Sequence, residues 1–139
     1  MMEKDIVKAL NSFLEGHYMA IHAYDKYIEH VSQDALKNTL QIIQQNHKKH
    51  AMLIAKRIQD LDGVAVKSAG LMKEMTLTMK GSTKGDAAIV EDALAGEQRG
   101  RQQSKDILAG NIDEESIEMT THILNAVDKH IDLLAKWTV

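Results

Sequence analysis

The 139-residue sequence contains no cysteine and no proline, and only 4% of its residues are aromatic. The lack of cysteine excludes disulfides, thiolate metal sites and cysteine nucleophiles. Because no proline interrupts the chain, long helices are the first expectation. The 17 Lys and Arg stand against 20 Asp and Glu, which gives a net charge of −3. Without a basic excess, we expect neither nucleic acid nor an anionic membrane as a partner.

Long apolar runs are missing as well. No run approaches the 18 apolar residues that suggest a membrane-spanning helix, and charged residues such as Lys4 and Asp5 interrupt the first segment, so a secretory signal is not predicted. The phosphate-binding glycine loop, the serine elbow of hydrolases and the zinc-protease HExxH motif are also missing. We expect a soluble, cytoplasmic protein that forms one domain over residues 1–139.

Apolar residues recur at steps of three and four in four segments, which predicts four amphipathic helices. The stripes run from Ile6 to Val31, from Leu36 to Leu61, from Val90 to Leu108 and from Met119 to Trp137. Short connections near 32–33 and 110–113 predict two antiparallel hairpins. The hairpins are joined by a crossover at about 63–85. The simplest arrangement is an all-α four-helix bundle with this long crossover.

The crossover has a pattern of its own. Met72, Met75 and Met79 recur at helical spacing between Leu71 and Lys80, which predicts a short helix there. Methionines at this spacing usually fill gaps in a core or cover the end of a bundle. A thioether copper site or a partner-binding surface is the other interpretation.

Polar residues interrupt the apolar stripes where core side chains are expected. Counted along the chain from the two predicted turns, these residues lie within about two helical turns of one another, so they can converge in the core. Neutral imidazoles and a carboxylate aimed at one centre are typical ligands of a divalent transition metal. We therefore predict a buried metal site with five ligands, which are His17, His47, His50, Glu97 and His130.

A metal-free core is the alternative. A single histidine on an apolar helix face is usually a hydrogen-bonded core residue. Arg101 follows Glu97 by one turn, so a buried ion pair between them satisfies both without a metal. The chain is then a structural or protein-interaction module whose function lies on its surface. The direction of Arg101 separates the two hypotheses, because an outward Arg101 leaves Glu97 available to a metal.

Four short motifs resemble those of the ferritin-like superfamily, in matching order over nearly the whole chain. The segment FLEGHYMAIHAY at 13–24 is similar to the first helix of rubrerythrins, and HKKHA at 47–51 falls where the superfamily carries Glu-x-x-His-Ala. AGE at 95–97 resembles the start of the third-helix ligand motif, and VDKH at 127–130 falls on the second Glu-x-x-His. More closely, the chain resembles a small bacterial family of four-helix ferritin-like proteins of unknown function.

The resemblance implies a ferritin-like bundle and a metal site that departs from the complete di-iron pattern. Both histidine positions are kept, as His50 and His130. The complete di-iron site of the superfamily has carboxylates at four positions. In this chain only one of them holds an acidic residue, Glu97, while the other three hold His17, His47 and Val127. A single negative charge among the ligands favours one ion, or two ions bridged by oxide or hydroxide.

These observations lead to one expectation for function. We expect a ferritin-like protein with iron or zinc in its core, in one copy or two, and with Tyr24 lining the pocket. Bound iron with an open position allows oxygen or peroxide chemistry. The sequence identifies no substrate, so it does not decide whether the protein is an enzyme. Self-association, for example as a homodimer, is the one protein–protein contact that we expect.

Overall fold

The computed structural model describes residues 3–68 and 85–138, and the secondary structure found there is four α-helices. They are α1 (Glu3–His30), α2 (Asp34–Asp60), α3 (Asp86–Ala109) and α4 (Glu114–Ala135). Each helix coincides with one of the four predicted stripes, apart from Val31, Leu61 and Trp137, which lie one or two residues past a helix end. In the part of the chain that is described, no helix has the length and apolar character needed to cross a membrane. The predicted helix at 71–80, with Met72, Met75 and Met79, lies outside the described residues.

The four helices form a bundle of two hairpins, as predicted. α1 pairs with α2 and α3 with α4, while α1 also packs on α3 and α2 on α4. Gly63, just after α2, lies against Val7 near the start of α1. At the other end of the bundle, Asp86 at the start of α3 accepts a hydrogen bond of 2.9 Å from the backbone N–H of Ser32. The connection from α2 to α3 therefore links opposite ends, and each helix is antiparallel to both of its neighbours.

Two clusters of buried apolar side chains fill the bundle, one toward each end. The first includes Leu10, Phe13, Ile54, Ile58 and Ile123, and the second includes Leu36, Leu40, Ile43, Ile89 and Leu134. Burying one such side chain contributes roughly 1.5–3 kcal/mol to folding. On every helix, the buried histidine or glutamate comes between residues of the two clusters. The polar residues therefore form a layer at mid-height, held from both ends by apolar packing.

An ion-pair cluster joins the two hairpins at the end where α4 begins. The Asp113 side chain caps α4 by accepting a hydrogen bond of 3.1 Å from the Ser116 N–H, which satisfies a free donor of the first turn. Arg57 of α2 donates to Asp113 over 3.0 Å and also pairs with Glu115. This cluster fixes the height of α2 relative to α4.

The end of α2 does not use the glycine that follows it. Glycine is the usual residue in the left-handed position that ends a helix, but Asp62 takes this position instead of Gly63, with φ 63°. The Gly63 N–H donates to Ile58 O over 2.9 Å and the Asp62 N–H donates to Gln59 O over 2.9 Å, which is a Schellman ending. Glycine is required at 63 for a different reason, since an added Cβ would lie 2.6 Å from Val7 Cγ1.

The first residues of the crossover are fixed to α1. Asn11 donates to Val64 O over 3.0 Å and accepts from the Val66 N–H over 2.9 Å, and the Tyr18 hydroxyl donates to Val66 O over 3.2 Å. These bonds satisfy the extended backbone that follows α2 and lead the chain along α1.

Replacement of Gly63 by alanine is expected to lower the free energy of unfolding by about 1–3 kcal/mol, because the new methyl group overlaps Val7. Urea unfolding followed by circular dichroism measures the change. Gly100→Ala is the control, since no described atom lies within 4 Å of its added Cβ. That change is expected to stabilise α3 by up to about 1 kcal/mol. Equal stability of Gly63→Ala and the unchanged chain would contradict the close approach to Val7.

Candidate metal centre

The five residues predicted as metal ligands lie together in the polar layer, and all four helices contribute. Each is at most 5% exposed. They are His17 on α1, His47 and His50 on α2, Glu97 on α3 and His130 on α4. The other three histidines, His22, His30 and His122, are exposed.

The Glu97 carboxylate is the centre of this layer and accepts three hydrogen bonds. His47 Nε2 and the Tyr24 hydroxyl donate to Oε2 over 2.7 Å and 2.9 Å. His130 Nδ1 donates to Oε1 over 2.8 Å. Since the donors come from α1, α2 and α4, one carboxylate on α3 connects all four helices.

These contacts keep the buried carboxyl group ionised. Burial alone raises a carboxyl pKa, but the electrostatic interaction with His47 and the hydrogen bonds from His130 and His47 outweigh it and hold the pKa of Glu97 below its usual range. The same carboxylate, together with burial, raises the pKa of the Tyr24 hydroxyl well above 10. Tyr24 therefore acts as a hydrogen-bond donor at neutral pH.

The hydrogen bonds also fix which ring nitrogen carries the proton in His17, His47 and His130. His17 Nδ1 donates to Phe13 O over 2.9 Å, and His47 Nε2 must donate because a carboxylate only accepts. In the neutral rings this leaves the lone pairs on His17 Nε2 and His47 Nδ1. His130 donates from Nδ1, so its Nε2 accepts from Asn46 Nδ2 over 3.0 Å.

Three of the ring nitrogens have no hydrogen-bond partner among the residues that the structure describes. They are His17 Nε2, His47 Nδ1 and His50 Nδ1, all buried. An unpaired buried polar atom costs on the order of 1–3 kcal/mol, so native structures rarely leave several of them together. This group of nitrogens calls for a partner that residues 3–68 and 85–138 do not supply.

The spacing of the side chains fits a metal ion. One ligand atom from each of His17, His47 and His50 lies within 4.8 Å of the other two, and the same holds for His47, Glu97 and His130. The two groups share His47. In the second group the candidate ligands are already hydrogen-bonded to one another, whereas the first group contains the three unpaired nitrogens. An ion bound through those three unpaired nitrogens would break none of the hydrogen bonds to His17 and His47.

The charge state of the first group also suits a metal. Burial, with a smaller contribution from the nearby His47, lowers the pKa of His17 from 6.5 to about 3. Burial likewise lowers the pKa of His50 to about 4, with contributions from His47 and His130. Both rings are neutral at pH 7, and neutral imidazole is the form that binds metal ions.

Arg101, which the metal-free hypothesis pairs with Glu97, turns outward. Its Nε donates to Asp128 Oδ1 over 2.7 Å, and its side chain is 39% exposed. The Arg101–Glu97 pair proposed from the sequence is therefore wrong. The reason is that the long arginine side chain can reach the surface from a position at the edge of the buried stripe.

Two partners in the layer were less visible in the sequence. Tyr24 was expected only to line the pocket, but it donates directly to Glu97. Asn46, which bonds to His130, was missed. Its position one turn before His50 was the available signal, although asparagine at the edge of a stripe is usually solvated.

Two openings lead from the surface to the layer. A cleft between α1 and α3 is lined by His17, His47 and Glu97. A groove between α2 and α4, on another side of the bundle, is lined by His50 and His130. The exposed His122 lies at this groove, with its ring centroid 5.7 Å from that of His50. The layer is buried but can be reached through narrow openings.

Three solved structures share this architecture. A bacterioferritin-related protein from Bacteroides fragilis, described as a dodecameric thioferritin, has a TM-score of 0.82 and 18% identity over 99% of this chain and 86% of that one. A two-domain protein from Anabaena variabilis with DJ-1/ThiJ/PfpI-like and ferritin-like domains has a TM-score of 0.81 and 18% identity, over 99% of this chain and 36% of that one.

The third structure is the DPS protein from Vibrio cholerae O1, described as a member of a broad superfamily of ferritin-like diiron-carboxylate proteins. It has a TM-score of 0.80 and 14% identity, over 97% of this chain and 89% of that one. At such identities the likeness establishes the fold, which is a ferritin-like four-helix bundle as the sequence motifs predicted.

Comparison with curated proteins gave no significant sequence match. The model of a protein family described as a domain of unknown function, DUF2383, matches residues 5–110. The matched segment includes α1 from residue 5 onward and all of α2 and α3, and with them His17, His47, His50 and Glu97. The expected membership of a ferritin-like family of unknown function is confirmed, and the chain belongs to the DUF2383 family.

Proposed function

We propose that this protein binds one transition-metal ion, iron or zinc, between α1 and α2 through His17, His47 and His50. The observation that carries the proposal is the group of three buried ring nitrogens, one from each residue, that have no partner in the described part of the chain. Three histidine ligands leave an open coordination position on either metal. Iron would supply redox chemistry there, and zinc would supply a Lewis acid.

Glu97 and His130, the other two residues predicted as ligands, have a supporting role in this proposal. Metal-binding histidines usually donate their second ring nitrogen to a carboxylate or carbonyl group, which fixes the tautomer and the ring orientation. His47 donates to Glu97 and His17 donates to Phe13 O in that manner. His130 then holds the Glu97 carboxylate from the other side.

The group His47, Glu97 and His130 is the candidate for a second ion. Binding there requires Glu97 to lose the hydrogen bonds from both histidines, and the site would still carry a single negative charge. We therefore place one ion at the three-histidine group first. We propose that a second ion binds at His47, Glu97 and His130 only at higher metal concentration.

The choice of iron and the expectation of self-association draw on the similar structures. The Vibrio cholerae protein is described as a member of a diiron-carboxylate superfamily, so iron is the first metal to test. The Bacteroides fragilis protein is described as dodecameric, which supports self-association of this chain, as a homodimer or a larger assembly.

A metal-free structural module is the second candidate function. It is favoured by the Glu97 carboxylate, which already has donors from Tyr24, His47 and His130 without any ion. It leaves three buried ring nitrogens unexplained, which is why we rank it second.

We expect protein purified without added metal or chelator to contain about one equivalent of iron or zinc per chain, and His17→Ala and His50→Ala to contain almost none. Each variant removes one of three ligands that have no other partner. Elemental analysis by inductively coupled plasma mass spectrometry measures the content. His22→Ala is the matched control, because His22 is exposed on the same helix as His17. Full metal content in both ligand variants would exclude the three-histidine site.

Glu97→Gln is expected to keep a stoichiometry of one ion but to bind it about 10–100-fold more weakly, as is typical when a residue that orients a ligand is changed. Titration of the chelator-treated protein with zinc, in competition with a chromogenic chelator, measures the affinity. Loss of binding as complete as in His17→Ala would show instead that Glu97 is a direct ligand.

The metal-free protein is expected to lose stability as the pH falls from 7 to 5. In the unfolded chain, His17 and His50 bind a proton near pH 6.5, whereas in the folded chain their pKa values are about 3 and about 4. Unfolding therefore takes up protons. Each histidine lowers the free energy of unfolding by about 1.4 kcal/mol per pH unit below 6.5, until its folded pKa is reached.

Urea unfolding in the presence of EDTA at pH 7, 6 and 5 measures this dependence. His17→Leu removes one of the two groups, so a flatter dependence is expected. Equal stability of the unchanged chain at pH 7 and pH 5 would contradict the burial of these rings in neutral form.

A further inference from the structure

We infer that the cleft between α1 and α3 binds a small, mainly apolar molecule that carries one hydrogen-bond donor, such as a phenol. The cleft is a cavity of about 370 Å³ that opens to the surface and ends at His17 and His47. This inference goes beyond the proposed function, because it concerns a ligand other than a metal ion and applies to the metal-free protein.

The walls of the cleft favour an apolar ligand. Gly16, Ala20 and Ala23 on α1 face Ala93, Gly96 and Gly100 on α3. Small side chains on both helices leave space between them, and no described atom lies within 4 Å of a Cβ added to Gly100. The rings of Tyr24 and Tyr27 also line the cleft. A dry cavity of about 150 Å³ holds a benzene molecule, so this cavity is large enough for a substituted single ring.

The floor of the cleft requires a donor from the ligand. His17 Nδ1 is occupied by Phe13 O and His47 Nε2 by Glu97. Their remaining nitrogens, which are buried and without a partner among the described residues, are lone-pair acceptors in the neutral rings. A hydroxyl or N–H group satisfies such an acceptor. A carboxylate does not, and it is also repelled by Glu97, which lines the same cleft.

Four further polar residues, Ser12, Glu15, Arg99 and Gln103, line the cleft, and all four are exposed or half-buried. Gln103 extends from α3 toward α1, with its Oε1 2.9 Å from the position of a Cβ on Gly16. Arg99 and Ser12 line the cleft but are exposed. A ligand is therefore surrounded by small apolar groups along its length and meets unpaired acceptors at the inner end.

If a metal ion is bound at His17 and His47 as proposed above, a small molecule in the cleft would also contact that ion, because both residues line the cleft. Only this corollary rests on the proposed function. The binding of the ligand is tested in protein treated with EDTA, so its failure and the failure of metal binding are separate results.

The test is calorimetric titration of the EDTA-treated protein with phenol, fluorobenzene and benzoate. Fluorobenzene has the shape of phenol but no donor, and benzoate carries a carboxylate. We expect phenol to bind with a Kd below about 10 mM and fluorobenzene to bind about tenfold more weakly, the effect of one hydrogen bond to a buried acceptor. Benzoate is expected not to bind. Phenol should also shift the ¹⁵N resonances of the His17 ring. This measurement locates the bound phenol, which the calorimetric signal alone does not.

Two variants show whether the ligand occupies this cleft. Gly100→Leu places a side chain in the open space and is expected to weaken phenol binding at least about tenfold. Ala95→Leu adds the same side chain on the exposed side of α3, where it does not line the cleft, and it is expected to bind phenol as the unchanged chain does. Circular dichroism confirms that both variants are folded.

Phenol binding that is lost in Gly100→Leu and kept in Ala95→Leu supports the inference. It is overturned if phenol does not bind the unchanged chain at 10 mM, or if Gly100→Leu binds phenol normally. Equal affinity for phenol and fluorobenzene overturns the role of the unpaired nitrogens, and with it the chemical class of the ligand.

Discussion

The structure depends on one buried carboxylate. Glu97 is 2% exposed, and an ionised group at such depth is stable only when protein donors replace its water. Tyr24, His47 and His130 provide these donors from the other three helices. A shift of any helix along the bundle axis breaks one of these bonds and leaves the charge unpaired. The carboxylate therefore sets the relative height of all four helices, which apolar packing alone specifies less sharply.

The same hydrogen bonds determine the chemistry of the histidines. His47 donates a hydrogen bond from Nε2 to Glu97, and His17 donates one from Nδ1 to Phe13 O. In the neutral rings the lone pairs are therefore on His47 Nδ1 and His17 Nε2, and His50 adds a third unpaired nitrogen. A bundle that used these residues only to satisfy one another would not leave three buried ring nitrogens unpaired among the described residues. The apolar clusters on either side offset the unfavourable burial and keep the rings in place.

The small residues between α1 and α3 give this buried layer its access. Gly96 and Gly100 place little side-chain volume beside Gly16 and Ala20, so the helices enclose a cavity where larger residues would have closed the interface. The groove between α2 and α4 reaches His50 and His130 from another side. The layer is thus screened from bulk water, which strengthens its electrostatic interactions, without being sealed.

The sequence by itself determined the four helices, their pairing into hairpins and the set of buried polar residues. Helical periodicity gives the direction of each side chain, and residue counts from the turns give its height, which is sufficient to bring His17, His47, His50, Glu97 and His130 into one layer. The tertiary structure alone decided how these groups pair. Glu97 bonds to His47 and His130, while Arg101 turns to Asp128. Asn46 joins the layer, and Asp62 ends α2 in place of Gly63. These outcomes depend on side-chain rotamers and on distances between helices, which no periodic pattern along one chain encodes.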